Sequence, residues 1–448
     1  MVAQKNIIKK VKIGVNTPSL ESGLQLKDEL DAFFKEEIFP EMDTYFNSIQ
    51  KNPSKIIRIE NISIEINIEV KNSLVEIKSL IMNNIKKKIN EISVTENNSE
   101  NFQSITSEQN EAEAFLYFLK YGSLPWWFDE TTDLGGFFEK IRLKKEISEK
   151  LKSLLSIAEI RKRLIFQFND SQIFQIVFSV LNQKEKSDFT INFPQNYRFQ
   201  FWETILHYSI FRNKLEIMEI LQNTPIEQVE MILKIAKENF GVNIPLKNKD
   251  FVKKIVSEQS QQDAKSYEKM NDLETSEQNL KNKKEDIFIK NAGLILLHPF
   301  LKMFFDKLDF LSEKNIKPEK VDEAIHVLHY LSTGKEQAYE HELTFEKFMC
   351  NVPFHQPVNR HILISKDQKL ACEVLLQAVL EHWTDLKSKS TEILQNEFLQ
   401  REGKLTISEE KQTLIVERKA QDILLDRLPW NIHLMKIPWR EKILFVKW

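Results

Sequence analysis

Apolar residues recur at Ile57, Ile59, Ile62, Ile64, Ile66, Ile68 and Val70, and from Ile62 to Val70 they alternate strictly with Ser63, Glu65, Asn67 and Glu69 on the other side. A period of two places successive side chains on opposite faces, so the run predicts a half-buried strand. Upstream, Ile7, Val11, Ile13 and Val15 predict another strand within Lys5–Val15, ended by Asn16-Thr17-Pro18-Ser19. Between the two the period changes. Leu24, Leu26, Leu30, Phe33, Phe34, Ile38 and Phe39 recur at three- and four-residue steps, the stripe of an amphipathic helix across Leu20–Ile49. Pro40 predicts a kink or a split there, because its ring lacks the N–H a helix needs. Leu74, Ile77, Ile81, Ile85 and Ile89 return to helical spacing over Leu74–Ile92. Residues 1–93 therefore read as a β-α-β-α module. Two strands are few for a sheet, so they are expected to pair with each other, with pairing to the far C-terminus or to another subunit left open.

Polar residues 94–110 read as a linker. A series of short helices is predicted over 111–254, including Ala114–Leu119, Ile157–Phe168, Ile173–Leu181 and Ile226–Ala236. Residues 255–286, rich in Lys, Glu, Gln, Ser and Asn, read as a second linker or an exposed helix. The last block, 287–448, carries helical patterns at 292–312, 319–333, 340–350, 367–385 and 389–400. It ends in strands: a hairpin of Lys404–Ile407 with Thr413–Val416, then Ile432–Met435 and Lys442–Trp448. The predicted class is α+β, mainly α-helical. No fixed repeat of 20–50 residues and no sustained heptad is present, which argues against a solenoid and a long coiled coil.

Composition narrows the function classes. The 448 residues carry 63 basic and 66 acidic side chains, a net charge of -3, which argues against a nucleic-acid or anionic-membrane binder. No apolar run approaches the ~18–20 residues that cross a bilayer, so no membrane insertion is expected. The opening Met1-Val2-Ala3-Gln4-Lys5-Asn6 lacks the apolar core of a signal peptide, and a cytoplasmic location is expected. Two cysteines, Cys350 and Cys372, cannot build a disulfide framework. Nine glycines leave little for phosphate-cradling loops, whereas 31 phenylalanines imply a large apolar payload.

Candidate chemistry is sparse. His326 and His329, three apart on a predicted helix, offer two imidazoles to a metal, with His341, Glu342 or His355 as a third ligand. They lack the His-Glu-x-x-His spacing, and packing beside Leu328 and Leu331 is the simpler reading. Cys350 or Cys372 with His355 or His382 as base offers a nucleophile, but both thiols sit in apolar helical company and read as inert. No nucleophile elbow or P-loop occurs, and Gly135-Gly136 reads as a turn. No catalytic residue, metal or cofactor is therefore assigned.

Tryptophan is more informative. Leu124-Pro125-Trp126-Trp127, Leu428-Pro429-Trp430 and Ile437-Pro438-Trp439 share an apolar-Pro-Trp grammar. Proline fixes φ and extends the residue before it, so each sets a rigid corner with an indole just after it. Such rings either seal corners inside the chain or anchor an interface, where Trp is enriched. The absence of catalytic grammar favours the interface. Candidate structural or interface anchors are Leu124, Pro125, Trp126, Trp127, His298, Pro299, Trp383, Pro429, Trp430, Pro438 and Trp439.

The segment Phe115-Leu116-Tyr117-Phe118-Leu119-Lys120-Tyr121-Gly122-Ser123-Leu124-Pro125-Trp126-Trp127 resembles the contractile injection system tape measure proteins of phage-tail-like particles of the antifeeding-prophage and Photorhabdus-cassette type. Ile57-Arg58-Ile59-Glu60-Asn61-Ile62-Ser63-Ile64, Asn291–Leu301 around Gly293 and His298-Pro299, Val327–Gly334, His341-Glu342-Leu343, His382–Lys387, Phe398–Leu405 and the two closing Pro-Trp corners continue the likeness in order. The resemblance implies a non-enzymatic structural part of the particle that governs tail tube length or assembly. It implies tube and baseplate or cap proteins as partners, self-association as a further contact, and a place inside the assembled tube. An α-helix of roughly 160 residues spans only ~240 Å, and residues 96–254 read as short helices. A short ruler, a chain extended only inside the tube, and a terminal, initiating or capping role all remain open. An adaptor or chaperone-like module for injection-system subunits or cargo is the alternative.

Overall fold

The computed structural model describes residues 6–14, 29–30, 32–49, 55–66, 74–94, 102–128, 145–180, 195–211, 217, 219–221, 224–241, 285–387, 390–408 and 410–448. The chain divides into two units, one of residues 1–117 and 124–141, the other of 118–123 and 142–448. The fold is α+β and mainly helical.

In the first unit the helix predicted around Pro40 is present but altered. Phe34–Ile38 forms a π-turn in which the Phe39 N–H bonds the Phe34 carbonyl, and α1 follows as Phe39–Ile49. Pro40 has no N–H to return to the preceding turn, and the wider turn before it absorbs that loss. Strand β1 (Lys55–Ile59) is followed by α2 (Leu74–Val94), β2 (Phe102–Thr106) and α3 (Ser107–Tyr121). Ile81, Met82, Ile85 and Ile89 of α2 bury against Phe33 and Ile38, the core of this unit.

Two strand expectations change. Ile62, Ile64 and Ile66 keep their alternation, half-buried against that core, but join no ladder; Asn67–Val70 lie outside the described residues. The partner strand explains this: β2 is five residues long and pairs antiparallel with Lys55–Ile59, Ile57 opposite Ser104. It comes from the stretch expected as a linker. Residues 6–14 form no strand either; Lys9, Lys10 and Lys12 interleave their apolar positions. Asn6 instead donates to Asp43 of α1 at 2.7 Å.

In the second unit lie α4 (Lys145–Leu154), α5 (Ala158–Gln167), α6 (Asp170–Val180), α7 (Arg198–Phe211) and α8 (Ile226–Phe240); α5, α6 and α8 match predicted short helices, and α4 and α7 are further short helices of the same block. Phe174, Phe178, Phe201 and Trp202 gather around Phe240, with ring centroids 5.5–6.5 Å from it. Gly241 ends α8 with φ 66°. The polar stretch 255–284 and Gly135-Gly136 lie outside the described residues.

Strand β3 (Glu285–Ile289) opens the last block. Residues Ala292–Leu297 form a 3₁₀ helix rather than the expected α-helix, and α9 (Leu301–Lys307) starts after Pro299. The hairpin β4 (Leu311–Ser312) and β5 (Asn315–Ile316) leads to α10 (Val321–Thr333), α11 (Thr344–Met349), α12 (Lys366–His382) and α13 (Thr391–Leu394). The predicted hairpin appears as β6 (Gly403–Ile407) and β7 (Gln412–Val416), followed by β8 (Leu434–Met435) and β9 (Leu444–Lys447). The sheet order is β3-β6-β7-β9-β8, antiparallel except for the parallel pair β7 and β9. Its inner residues Ile289, Leu405, Leu414, Val416, Leu444 and Val446 share one core with α9–α12.

Candidate functional site

The matched motifs converge on buried polar joints of the second unit. Around Arg163 in α5, which is 1% exposed, three charges meet. Its Nε donates to Glu340 Oε2 at 2.9 Å, one η nitrogen to the Leu119 carbonyl at 2.7 Å, and the other to the His355 carbonyl. Lys347 of α11 donates to Glu340 Oε1 at 2.8 Å and to the Phe354 and Gln356 carbonyls. Desolvation lowers the Lys347 pKa, and the Glu340 carboxylate opposes that shift. Gln167 closes the joint, accepting from the Glu340 N–H and donating to the Val358 carbonyl, both at 2.8 Å.

Gly122, in the Tyr-Gly-Ser-Leu-Pro-Trp-Trp stretch, sits against this joint. It ends α3 with φ 72°, and its N–H bonds the Phe118 carbonyl at 2.8 Å. A Cβ there would lie 2.8 Å from Glu340 Cδ. Glycine is thus required both for the left-handed backbone and for the approach.

A second joint lies under the sheet. Arg401, fully buried, donates to Asp422 at 2.7 Å, and the Trp448 indole donates to the other oxygen of Asp422 at 3.0 Å. The Arg401 carbonyl accepts from the Ala292 N–H at 2.9 Å. Next to it, Gly293 packs backbone against backbone: a Cβ would lie 2.7 Å from Leu399 Cα. These are the Asn-Ala-Gly-Leu and Arg-Glu-Gly-Lys-Leu motifs, held together by close main-chain approach.

The tryptophan corners separate by environment. In the second unit the indoles are used inside the chain. Trp383 is fully buried edge-on to Phe398, centroids 4.9 Å apart, and donates to the Leu424 carbonyl at 3.3 Å. Trp439 stacks on Phe305 at 5.1 Å and donates to the Met349 carbonyl at 2.7 Å. Trp430, half-buried, meets Phe300 edge-on and donates to the Leu296 carbonyl at 3.1 Å. Pro299, Pro429 and Pro438 stay exposed on the outer sides of these corners. His298 Nδ1 lies 2.9 Å from the Ile295 carbonyl, and burial pulls its pKa down.

The first unit differs. Pro125 is buried, Leu124 half-buried, and the Arg58 guanidinium lies 3.3 Å from the centroid of Trp127. Arg58 also pairs with Glu113 at 2.6 Å and Asn110 at 2.7 Å. Trp126, 39% exposed, turns its ring outward.

The sparse chemistry finds no convergence. His326 Nε2 meets the Asn359 carbonyl at 2.9 Å, while His329 Nδ1 faces Glu346 at 3.1 Å, whose Oε1 also accepts from Asn291 at 2.7 Å. Among the described residues, no group of three or more His, Cys, Asp and Glu is placed to hold a metal. Burial raises the Cys350 thiol well above its ordinary pKa and pushes Cys372 up to about 12, so neither supplies a thiolate near neutrality. Among the described residues no helix is long and apolar enough to cross a membrane.

Arg163, Glu340, Lys347 and Asp422 escaped the motif reading, and Arg401 lies in the Phe398–Leu405 motif without having been singled out. Their signal is a charge set inside an apolar run: Lys347 between Phe345 and Phe348, Arg401 just after Phe398-Leu399. Such charges are rarely buried unless paired.

The motifs of the second unit are thus spent on internal joints that fix its fold. The profile of the family described as contractile injection system tape measure protein matches residues 5–448, and the chain belongs to that family. The family is one of structural proteins rather than enzymes. No curated protein and no solved structure matches the chain.

Proposed function

We propose that this chain helps build the tail tube of a contractile injection particle through contacts with tube, baseplate or cap subunits. On this reading it works before and during assembly in the cytoplasm, and its second unit acts as a folded body rather than an extended ruler. One observation carries the reading: β3 and β6 are adjacent strands although 113 residues separate Ile289 from Gly403. As one straight helix those residues would span ~170 Å; here their ends sit one strand spacing, ~4.8 Å, apart. Chain length in this unit is therefore not converted into reach. The outward ring of Trp126 and the exposed Pro299, Pro429 and Pro438 are the candidate contact points.

The test is a deletion series in the producing strain, read as tube length by negative-stain electron microscopy. Loss of the whole chain is expected to abolish or alter the tubes. Internal deletions in 111–254 are expected to act all-or-none. Tubes that shorten in proportion to the residues removed would refute the folded-body reading, and normal particles without the chain would refute the assembly role. Mass spectrometry of purified particles is expected to find the chain; its absence there would favour the adaptor.

A further inference from the structure

Helix α12 is apolar on two sides. Ala371, Cys372, Leu375, Leu376, Val379 and Leu380 face the core. A helix with one buried stripe ordinarily presents polar residues on the other side. Here Leu370 is 64% exposed and Val374 50% exposed, one turn apart on that outer side. Ile393 of α13 is exposed as well, and Thr391 of that helix donates to Glu373 of α12 at 3.2 Å.

We propose that this face docks on the same face of a second copy of the chain, the two α12 helices running antiparallel about a two-fold axis near Cys372. The charge pattern selects this occupant. Lys366 stands in the first turn and Glu381 in the last, both exposed and neither in an ion pair among the described residues. Both oppose the helix dipole, which favours acids at the N-terminus and bases at the C-terminus. Asp367 and His382 follow that preference, so the opposition belongs to the two outward charges.

An antiparallel partner reverses the situation. With the axis at residue 372, Leu370 of one copy meets Val374 of the other, and Lys366 lies opposite position 378. Glu381 of the second copy is then three residues further, ~4.5 Å along the axis, within reach of a lysine side chain. The two-fold makes two such pairs and sets each helix N-terminus beside a C-terminus. A patch that is apolar at its centre and oppositely charged at its ends is self-complementary, as an isologous interface requires.

The inference stands apart from the tube-assembly role and is read by a different measurement. Sedimentation velocity of the full chain from about 1 to 100 µM is expected to show a monomer–dimer equilibrium; affinity in that range suits a small interface. L370D and V374K are each expected to weaken it about tenfold or more, with unchanged circular dichroism because both positions are exposed. K366E and E381K are each expected to weaken it, and the double variant K366E/E381K to restore it. A monomer throughout, a dimer indifferent to L370D and V374K, or a double charge swap no better than the single ones would overturn the proposal.

Discussion

Replacing Arg163 with methionine tests whether the buried joint holds the second unit together. The substitution keeps the length and apolar stem of the side chain but removes every donor. Glu340, 1% exposed, would keep Lys347 as its one cationic partner, and the Leu119 and His355 carbonyls would lose the guanidinium. Breaking one side of a buried ion pair costs ~3–5 kcal/mol, since the remaining charge stays desolvated. At ~2 °C per kcal/mol, the low end for a unit of this size, the Tm should fall by roughly 6–10 °C. E340Q should do comparable damage because it strands two cations. The double variant R163M/E340Q should lose less than the sum, with a coupling of ~1–3 kcal/mol. Melts followed by tryptophan fluorescence, with urea titrations for the free energies, measure all three. An R163M melting temperature within ~1 °C of the parent would refute the reasoning.

Three further outcomes are expected. G293A should be poorly soluble or strongly destabilised, because the added methyl meets Leu399 main chain, whereas at Gly334 the nearest atom is 3.9 Å away; G334A should therefore cost only the ~1–2 kcal/mol of a left-handed residue. The urea midpoint should fall as pH drops from 7 to 4. Burial pulls His341 down to about 3 and also lowers His326, so the unfolded chain takes up their protons near ~6.5 while the folded chain does not. That contribution is complete above the unfolded value and is lost as pH falls towards about 3; a midpoint that rises on acidification would contradict it. A thiol reagent at pH 8 should leave Cys350 and Cys372 untouched until urea unfolds the chain, and labelling at native concentrations of denaturant would contradict their burial.

Much of this architecture was legible where one physical requirement dominates a stretch of sequence. The hairpin β6–β7 follows from alternation bounded by polar turn residues, and α2, α10 and α12 from apolar steps of three and four. The first unit was harder. Alternation at Ile62–Ile66 reports a half-buried extended chain, but ladder formation depends on a partner, and β2 matches Lys55–Ile59 instead. Phe102 and Ile105 carry too little apolar signal to mark β2 within a polar stretch. The tryptophan corners were visible as rigid turns, yet what each indole meets is decided by residues far away in sequence: Met349 for Trp439, Leu296 for Trp430. The buried charges also find partners outside their own elements, Arg163 with Glu340 177 positions on and Arg401 with Asp422 21 positions on, and such a pairing leaves no local pattern.

Strand β9 is the last strand in the sequence, yet it lies inside the sheet, between β7 and β8, and pairs in parallel with β7. During synthesis β3, β6 and β7 emerge well before residues 444–447, and until then one edge of β7 is open and the slots for Leu444 and Val446 are unfilled. Closure of this sheet therefore waits for residues 444–447, since non-local pairing waits for the whole intervening chain. Until β9 pairs, the open edge of β7 is a template on which a foreign strand could add.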